Sequence, residues 1–295
     1  MLGRLYVARG GGFLAKIAVA AVADKFRSQV LARGDGWTVS DVVCRSGPDD
    51  RPFEEQHANF SIAVVAAGTF EYRSAAGREL MTPGSLMLGS AGQSFECGHE
   101  HGLGDRCVAF WYTPAYFERL AADAGARTAR FGALRVPPLR ALSPLVARAC
   151  AALGGPLGVS WEELGVRLAA HAVALSAGLP SAAPPAPPGA VARVSQAVRR
   201  IERQPDDALT LGNLARESRL SPYHFLRTFE RITGVTPHQY VLRARLRQAA
   251  LRLATGAGKV LDLALESGFG DLSNFNRAFR AEFGMSPRAY RRQTG

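Results

Sequence analysis

Between residues 214 and 290 the chain states one pattern twice. Phe225, Arg227, Phe229, Gly234, Pro237 and Tyr240 return fifty residues later as Phe275, Arg277, Phe279, Gly284, Pro287 and Tyr290. Just upstream, Leu214, Ala215, Glu217 and Ser218 return forty-nine residues later as Leu263, Ala264, Glu266 and Ser267, so the second copy has one extra residue in its turn. A repeat of this period marks a duplicated supersecondary unit, and two copies are too few to stack into a solenoid.

Each copy predicts a short helix, a tight turn and a second helix. In the first, Thr210 is placed to cap a helix that carries Leu211, Leu214, Ala215 and Ser218 on one face. Ser221 and Pro222 restart the chain, because Ser caps and Pro at the first helical position gives up no hydrogen bond. Phe225, Phe229 and Ile232 then follow at i, i+4 and i+7 and should face a core, which turns Tyr223, Arg227 and Glu230 outward with His224 and Arg231 on the flank. In the second copy Asp271 can cap, Phe275 and Phe279 face inward, and Ser273, Arg277 and Arg280 face out beside Asn274 and Asn276. Gly234 and Gly284 supply helix stops, and Gly268 falls where the turn calls for positive φ. No breaker interrupts residues 238–254, so one helix, with Leu242, Leu246, Ala249, Ala250 and Leu253 on a stripe, should join the two units rigidly.

Two helices joined by a turn of about three to four residues form the helix-turn-helix, whose second helix enters the DNA major groove. The outward side chains suit a groove-reading helix, since Arg can chelate guanine, Asn adenine, and Ser can pair with either. An arginine on a helix surface is usually just solvated, so one copy alone would be weak evidence for this over a small helical bundle, but two copies set Arg227 and Arg277 at the same outward position.

On these residues the last hundred or so positions resemble the DNA-binding domain of AraC/XylS transcriptional regulators. Ala264, Gly268, Phe269, Ser273, Phe275, Arg277, Phe279, Phe283, Gly284, Ser286 and Pro287 stand in that family's signature order. The resemblance implies a seven-helix domain setting two recognition helices into successive major-groove segments of double-stranded DNA. It implies base or groove contacts from Tyr223, His224 and Arg227 in the first copy, and from Ser273, Asn274, Asn276 and Arg277 in the second. Leu226 stands where relatives often carry a polar residue, so the first helix should read bases partly through apolar contact. The expected partners also include RNA polymerase and an unknown small-molecule or redox effector; activation is the expected sense, with repression left open.

The charge is divided unevenly. Residues 191–295 carry 18 Lys and Arg against 9 Asp and Glu, whereas residues 1–190 carry 18 against 16. A basic third beside a nearly neutral remainder is the electrostatic footprint of nucleic-acid binding. The apolar stretch 13–23 contains Lys16 and is too short to span a bilayer; it predicts a loosely attached N-terminal helix or residues upstream of the true start of the domain, and the chain is expected to be cytoplasmic with no membrane partner. Four cysteines in 295 residues do not make a disulfide scaffold.

From about residue 37 to 112 short apolar runs at 62–65, 70–72, 86–88, 95–97 and 108–112 alternate with turn signals and predict strands of a β-sandwich or barrel. The resemblance implies a cupin-like sensing domain here, giving an α+β, two-domain fold. Its expected parts are a cupin-like sensing and dimerisation domain over 37–178, a linker over 179–190 and an all-α double helix-turn-helix over 191–295. Helices are expected from Thr113-Pro114 to Ala124, from Ser143-Pro144 to Leu153, and from Ser160, with Glu163 completing a capping box, to Ala177. The last puts Leu164, Leu168, His171 and Leu175 on one stripe, a core face or, by resemblance, a homodimer surface. Five prolines in the thirteen residues 178–190 forbid a helix and predict a semi-extended spacer.

Cys97, His99 and His101 alternate, so on a strand they share a face, and the turn at 102–105 can fold Cys107 back beside them, with His57 and Cys44 as further candidates. Thiolate and imidazole are zinc ligands, although this spacing matches neither a zinc finger nor the usual cupin metal motif. No cofactor is assigned on this ground, and the alternative left open is a metal-dependent cupin enzyme, or a metal or redox sensor, joined to a DNA-binding domain. No nucleophile elbow, P-loop or dinucleotide fingerprint is present, so no catalytic residue is expected.

Overall fold

A computed structural model describes residues 25–294, apart from 103, 127, 155–157, 183–185 and 257. The helix expected over 13–23 lies outside the described residues. The first half of the chain is β-rich with helices behind it. Its strands are β1 (Phe26–Gly34), β2 (Trp37–Cys44), β3 (Glu54–Gln56), β4 (Phe60–Gly68), β5 (Phe70–Ser74), β6 (Gly77–Met81), β7 (Leu86–Gly89), β8 (Ser94–Gly98), β9 (Asp105–Tyr112) and β10 (Arg135–Val136). They form two antiparallel sheets, in the orders β1-β2-β9-β4-β7-β10 and β3-β8-β5-β6.

The unbroken apolar run of β4 follows from its place inside the larger sheet, covered on both faces. Ile62 and Val64 pack with Phe110 and Tyr112 against the helices, while Ala63 and Val65 pack with Ala109 and Trp111 against Phe70, Tyr72 and Phe95 of the smaller sheet. All five expected strand runs lie within β4, β5, β7, β8 and β9, and β1 runs ahead of residue 37.

The covering helices are α1 (Pro114–Asp123), α2 (Ser143–Ala152) and α3 (Trp161–Ser176). Thr113 and Ser160 cap as expected, each accepting a backbone N–H three residues on, but Glu163 pairs with Arg167 at 3.2 Å and the expected capping box is not formed. One detail of α3 is corrected: its buried stripe is Leu164, Leu168, Ala169, Ala172 and Val173, and His171 is exposed, its ring bonded to the Arg167 carbonyl 2.9 Å away. The small residues win the inner face because they let α3 approach the sheet closely; Gly165 sits where a Cβ would touch Phe110 and Tyr112 at 3.3 Å. Among the described residues of 178–189 there is no helix, and this segment is not free of the β-rich half: Ser181 accepts from the Leu134 N–H at 3.0 Å, and Ala182 packs on the core between the sheets.

The expected face shared by Cys97, His99 and His101 is also corrected. β8 ends at Gly98, so the alternation stops there. His99 turns to Asp105, its Nε2 2.6 Å from Oδ1, while His101 sits with Glu71 and Glu100. His57 lies elsewhere, between Tyr72 and Ser61 and stacked on Phe95.

Seven helices fill the described residues of the last third: α4 (Ala190–Arg203), α5 (Leu211–Glu217), α6 (Pro222–Thr233), α7 (Pro237–Ala254), α8 (Val260–Glu266), α9 (Leu272–Phe283) and α10 (Pro287–Thr294). α7 is the uninterrupted strut, started by a full capping box of Thr236 and Gln239. It belongs to both cores: Tyr240, Val241 and Ala244 pack with Phe225 and Phe229 of the first unit, and Leu246, Ala249, Ala250 and Leu253 with Phe275 and Phe279 of the second. This third also rests on the β-rich half, where Leu80 joins the first-unit core, Ala147 joins the second, and the Tyr240 hydroxyl, itself bonded to Glu202 of α4 at 2.9 Å, lies 3.4 Å from the Pro83 carbonyl. No helix among the described residues is long and apolar enough to cross a membrane.

Candidate nucleic-acid interface

The two second helices of the repeat, α6 and α9, are built alike. Each starts on a side-chain cap, Ser221 for α6 and Asp271 for α9, and each ends at a glycine in the left-handed region, Gly234 and Gly284. Phe225 and Phe229 are fully buried, as are their counterparts Phe275 and Phe279. Anchoring one face in this way fixes the rotation of each helix and so decides which side chains meet solvent.

Tyr223, His224 and Arg227 are exposed on α6, and Ser273, Asn274, Asn276 and Arg277 are exposed on α9, all within the first two turns of their helices. Tyr223 is 61% exposed. The Arg227 guanidinium donates to the Tyr223 hydroxyl at 3.0 Å and lies 5.8 Å from its ring centre, so the two side chains present one joint surface. His224 is oriented by the cap, its Nδ1 2.9 Å from the Ser221 hydroxyl. Neither Arg227 nor Arg277 has an ion-pair partner among the described residues, whereas Arg200, Arg243, Arg247 and Arg252 of the same third are paired with carboxylates. Leu226, expected to offer an apolar contact, is half-buried.

Two features of this third were not expected from the sequence, although the forty-nine-residue offset does place Arg219 opposite Gly268. Arg245 of α7 donates from Nε to the Pro205 carbonyl at 2.7 Å, from Nη2 to Asp207 at 2.9 Å and from Nη1 to Gly268 at 3.0 Å. One planar fork therefore ties the loop before the first unit to the turn of the second, holding α6 and α9 in a set relation. The second feature is Arg219, at φ 54°, the counterpart of Gly268 at φ 78°. Both turns need the left-handed conformation, and the first unit meets that need with a residue that pays a steric cost for it.

In comparisons with known proteins, the helix-turn-helix domain family matches residues 214–293. The HTH-type transcriptional activator AarP of Providencia stuartii is 33% identical over 98 residues, covering 33% of this chain and 73% of AarP. Transcriptional regulator Rob of Salmonella typhimurium is 34% identical over 94 residues, 32% of each chain, so this chain matches about a third of Rob's length. The solved DNA-binding domain of AdpA, in complex with a target DNA, is 28% identical over 34% of this chain and 90% of that one, with a TM-score of 0.33.

Proposed function

The chain belongs to the AraC/XylS family, and from that premise we propose that it is a sequence-specific DNA-binding transcriptional regulator. Helices α6 and α9 read adjacent major-groove segments of one duplex. Base-edge contacts come from Arg227 with Tyr223 and His224 on α6, and from Ser273, Asn274, Asn276 and Arg277 on α9, while the remaining exposed arginines contact phosphate. The observation that carries this reading is the doubled geometry: two equivalent helices, each held by buried phenylalanines, each presenting at the same turn an arginine with no carboxylate partner among the described residues.

The β-rich half, residues 37–178 with β1 before them, is proposed as a cupin-like sensing and dimerisation domain, joined through 179–190 to the DNA-binding domain over 191–295. A small-molecule or redox effector acts there, a second copy of the chain pairs there, and RNA polymerase is the partner at the promoter. The sense is taken as activation, which is what AarP's name says of AarP. The protein acts in the cytoplasm.

The test is transcription in a purified system. Duplex fragments retained by the full chain at physiological salt are offered as templates to RNA polymerase with and without the protein. Transcript yield that changes on those templates and not on unretained ones supports the reading. Equal retention of every fragment, with no change in transcription, overturns it.

A further inference from the structure

Away from the helix-turn-helix units, the loop between β8 and β9 is pressed onto the end of β2. A Cβ on Gly104 would meet the Cys44 carbonyl at 2.3 Å, and one on Gly102 would meet the Thr69 carbonyl at 2.2 Å, so backbone packs on backbone at both points. This closeness, with the cross-strand pairing of Cys44 and Asp105, gathers side chains from both sheets. Cys44 comes from β2, Asp105 from β9, and His99 from the end of β8 in the smaller sheet.

The ligand atoms of Cys44, His99 and Asp105 all lie within 4.8 Å of one another. The side chains of His99 and Asp105 are 4% and 8% exposed. The cluster opens on a cavity of about 60 Å³ between the sheets, also lined by Cys97, Cys107 and Trp111. Trp111 is 4% exposed, and its indole N–H finds no acceptor among the described residues. A buried donor left without an acceptor is costly, and it points to a polar occupant of the space it lines.

We propose that Cys44, His99 and Asp105 bind one zinc-class divalent cation, with its remaining coordination position open to this cavity. Thiolate, imidazole and carboxylate are the three donor types zinc takes, and three protein ligands with one open position is a known arrangement for it. Charge selects the set. A divalent cation with one thiolate, one carboxylate and a neutral imidazole is neutral overall, which suits a cavity walled largely by apolar side chains such as Phe70, Phe95 and Ala109, with Glu55 as its other carboxylate. Adding the Cys107 thiolate would leave the buried site negative, so Cys107 stays a thiol, donating to Asp105 Oδ2 at 3.5 Å. The nearby group of Glu71, Glu100 and His101 does not compete, because the Arg73 guanidinium already bridges its two carboxylates at 2.7 and 2.6 Å. A cation held this way ties the two sheets together at one end, and its open position takes a water or a small donor; the cavity has room for about two water-sized molecules.

Cobalt(II) is the probe, added to the full chain and followed by dialysis. The expected result is one retained cation per chain, with the intense visible bands of tetrahedral cobalt and a thiolate-to-metal charge-transfer band. Cys44→Ser removes the charge-transfer band, whereas Cys107→Ser and Cys150→Ser keep it. Alkylation of the unaltered chain is the second readout, with no dependence on folding of a variant: zinc slows modification of Cys44 far more than that of Cys97. No retained cation, a cobalt spectrum unchanged in Cys44→Ser, or equal protection of both cysteines overturns the proposal.

Discussion

Arg245 is where the relation between α6 and α9 is most exposed to attack. Replacing it with Met keeps length and apolar stem but deletes donors to Pro205, Asp207 and Gly268 at 2.7, 2.9 and 3.0 Å. Hydrogen bonds from a charged donor contribute about 1.5–3 kcal/mol each. Taking the low end for a half-buried group, and letting the freed carbonyls regain about half by rehydration, the net loss is about 2 kcal/mol. The loss should appear as a lower urea midpoint for the full chain with an unchanged slope. The consequence for function is sharper. Two helices on one strut bind a two-segment site with the second contact made intramolecularly, and a loosened orientation lowers that effective concentration. Affinity for a duplex carrying both segments should fall by about tenfold, with affinity for a single segment little changed. Arg245→Lys, which can satisfy at most part of the fork, should fall between. A stability loss below about 0.5 kcal/mol, the range of ordinary surface substitutions, together with unchanged two-segment affinity, would refute the role given to Arg245.

Arg219→Gly should stabilise the chain by about 0.5–1 kcal/mol, since it relieves a left-handed backbone at some entropic cost; denaturant titration checks this, and destabilisation counts against the turn account. His57 is buried against Tyr72 and Phe95, and that burial pushes its pKa down from 6.5 to about 3. The unfolded chain therefore takes up a proton that the folded one refuses, so stability should fall as pH drops from about 6 toward 3, by up to about 1.4 kcal/mol per pH unit from this residue. His57→Gln should flatten that part of the profile, measured as midpoint against pH; an identical slope would remove His57 as its cause. Raising the salt concentration should weaken DNA binding steeply, with the log–log slope reporting the phosphates neutralised, and a flat titration would contradict the charge argument.

The helical last third was largely legible in sequence because its determinants are local. Caps at Ser221 and Asp271, stops at Gly234 and Gly284 and phenylalanines four apart each act within one or two turns, and duplication allowed each to be read twice. Arg245 was opaque for the opposite reason: its three acceptors lie 23 to 40 residues away, and nothing in its surroundings sets it apart from Arg243 or Arg247. In the β-rich half the apolar runs located strands, but the two-residue β10 and the exposed, weakly apolar β1 and β3 are strands only through their partners. The cysteine and histidine cluster failed in a similar way. Alternation is a rule for a continuing strand, and β8 stops at Gly98, so His99 and His101 part company, while Cys44 arrives from a strand more than fifty residues away. Along α3, His171 shares the spacing of the leucines, but the close approach selects Ala169 and Ala172 instead.

The most direct test of the doubled reading head is selection of duplexes from a random pool by the full chain, repeated with Arg227→Ala and Arg277→Ala. The expected motif has two segments about one helical turn, 10–10.5 base pairs, apart. Each variant should relax preference in a different segment at a cost of about 1–3 kcal/mol. A single undivided motif, or two variants that select the same sequences as the unaltered chain, would contradict it.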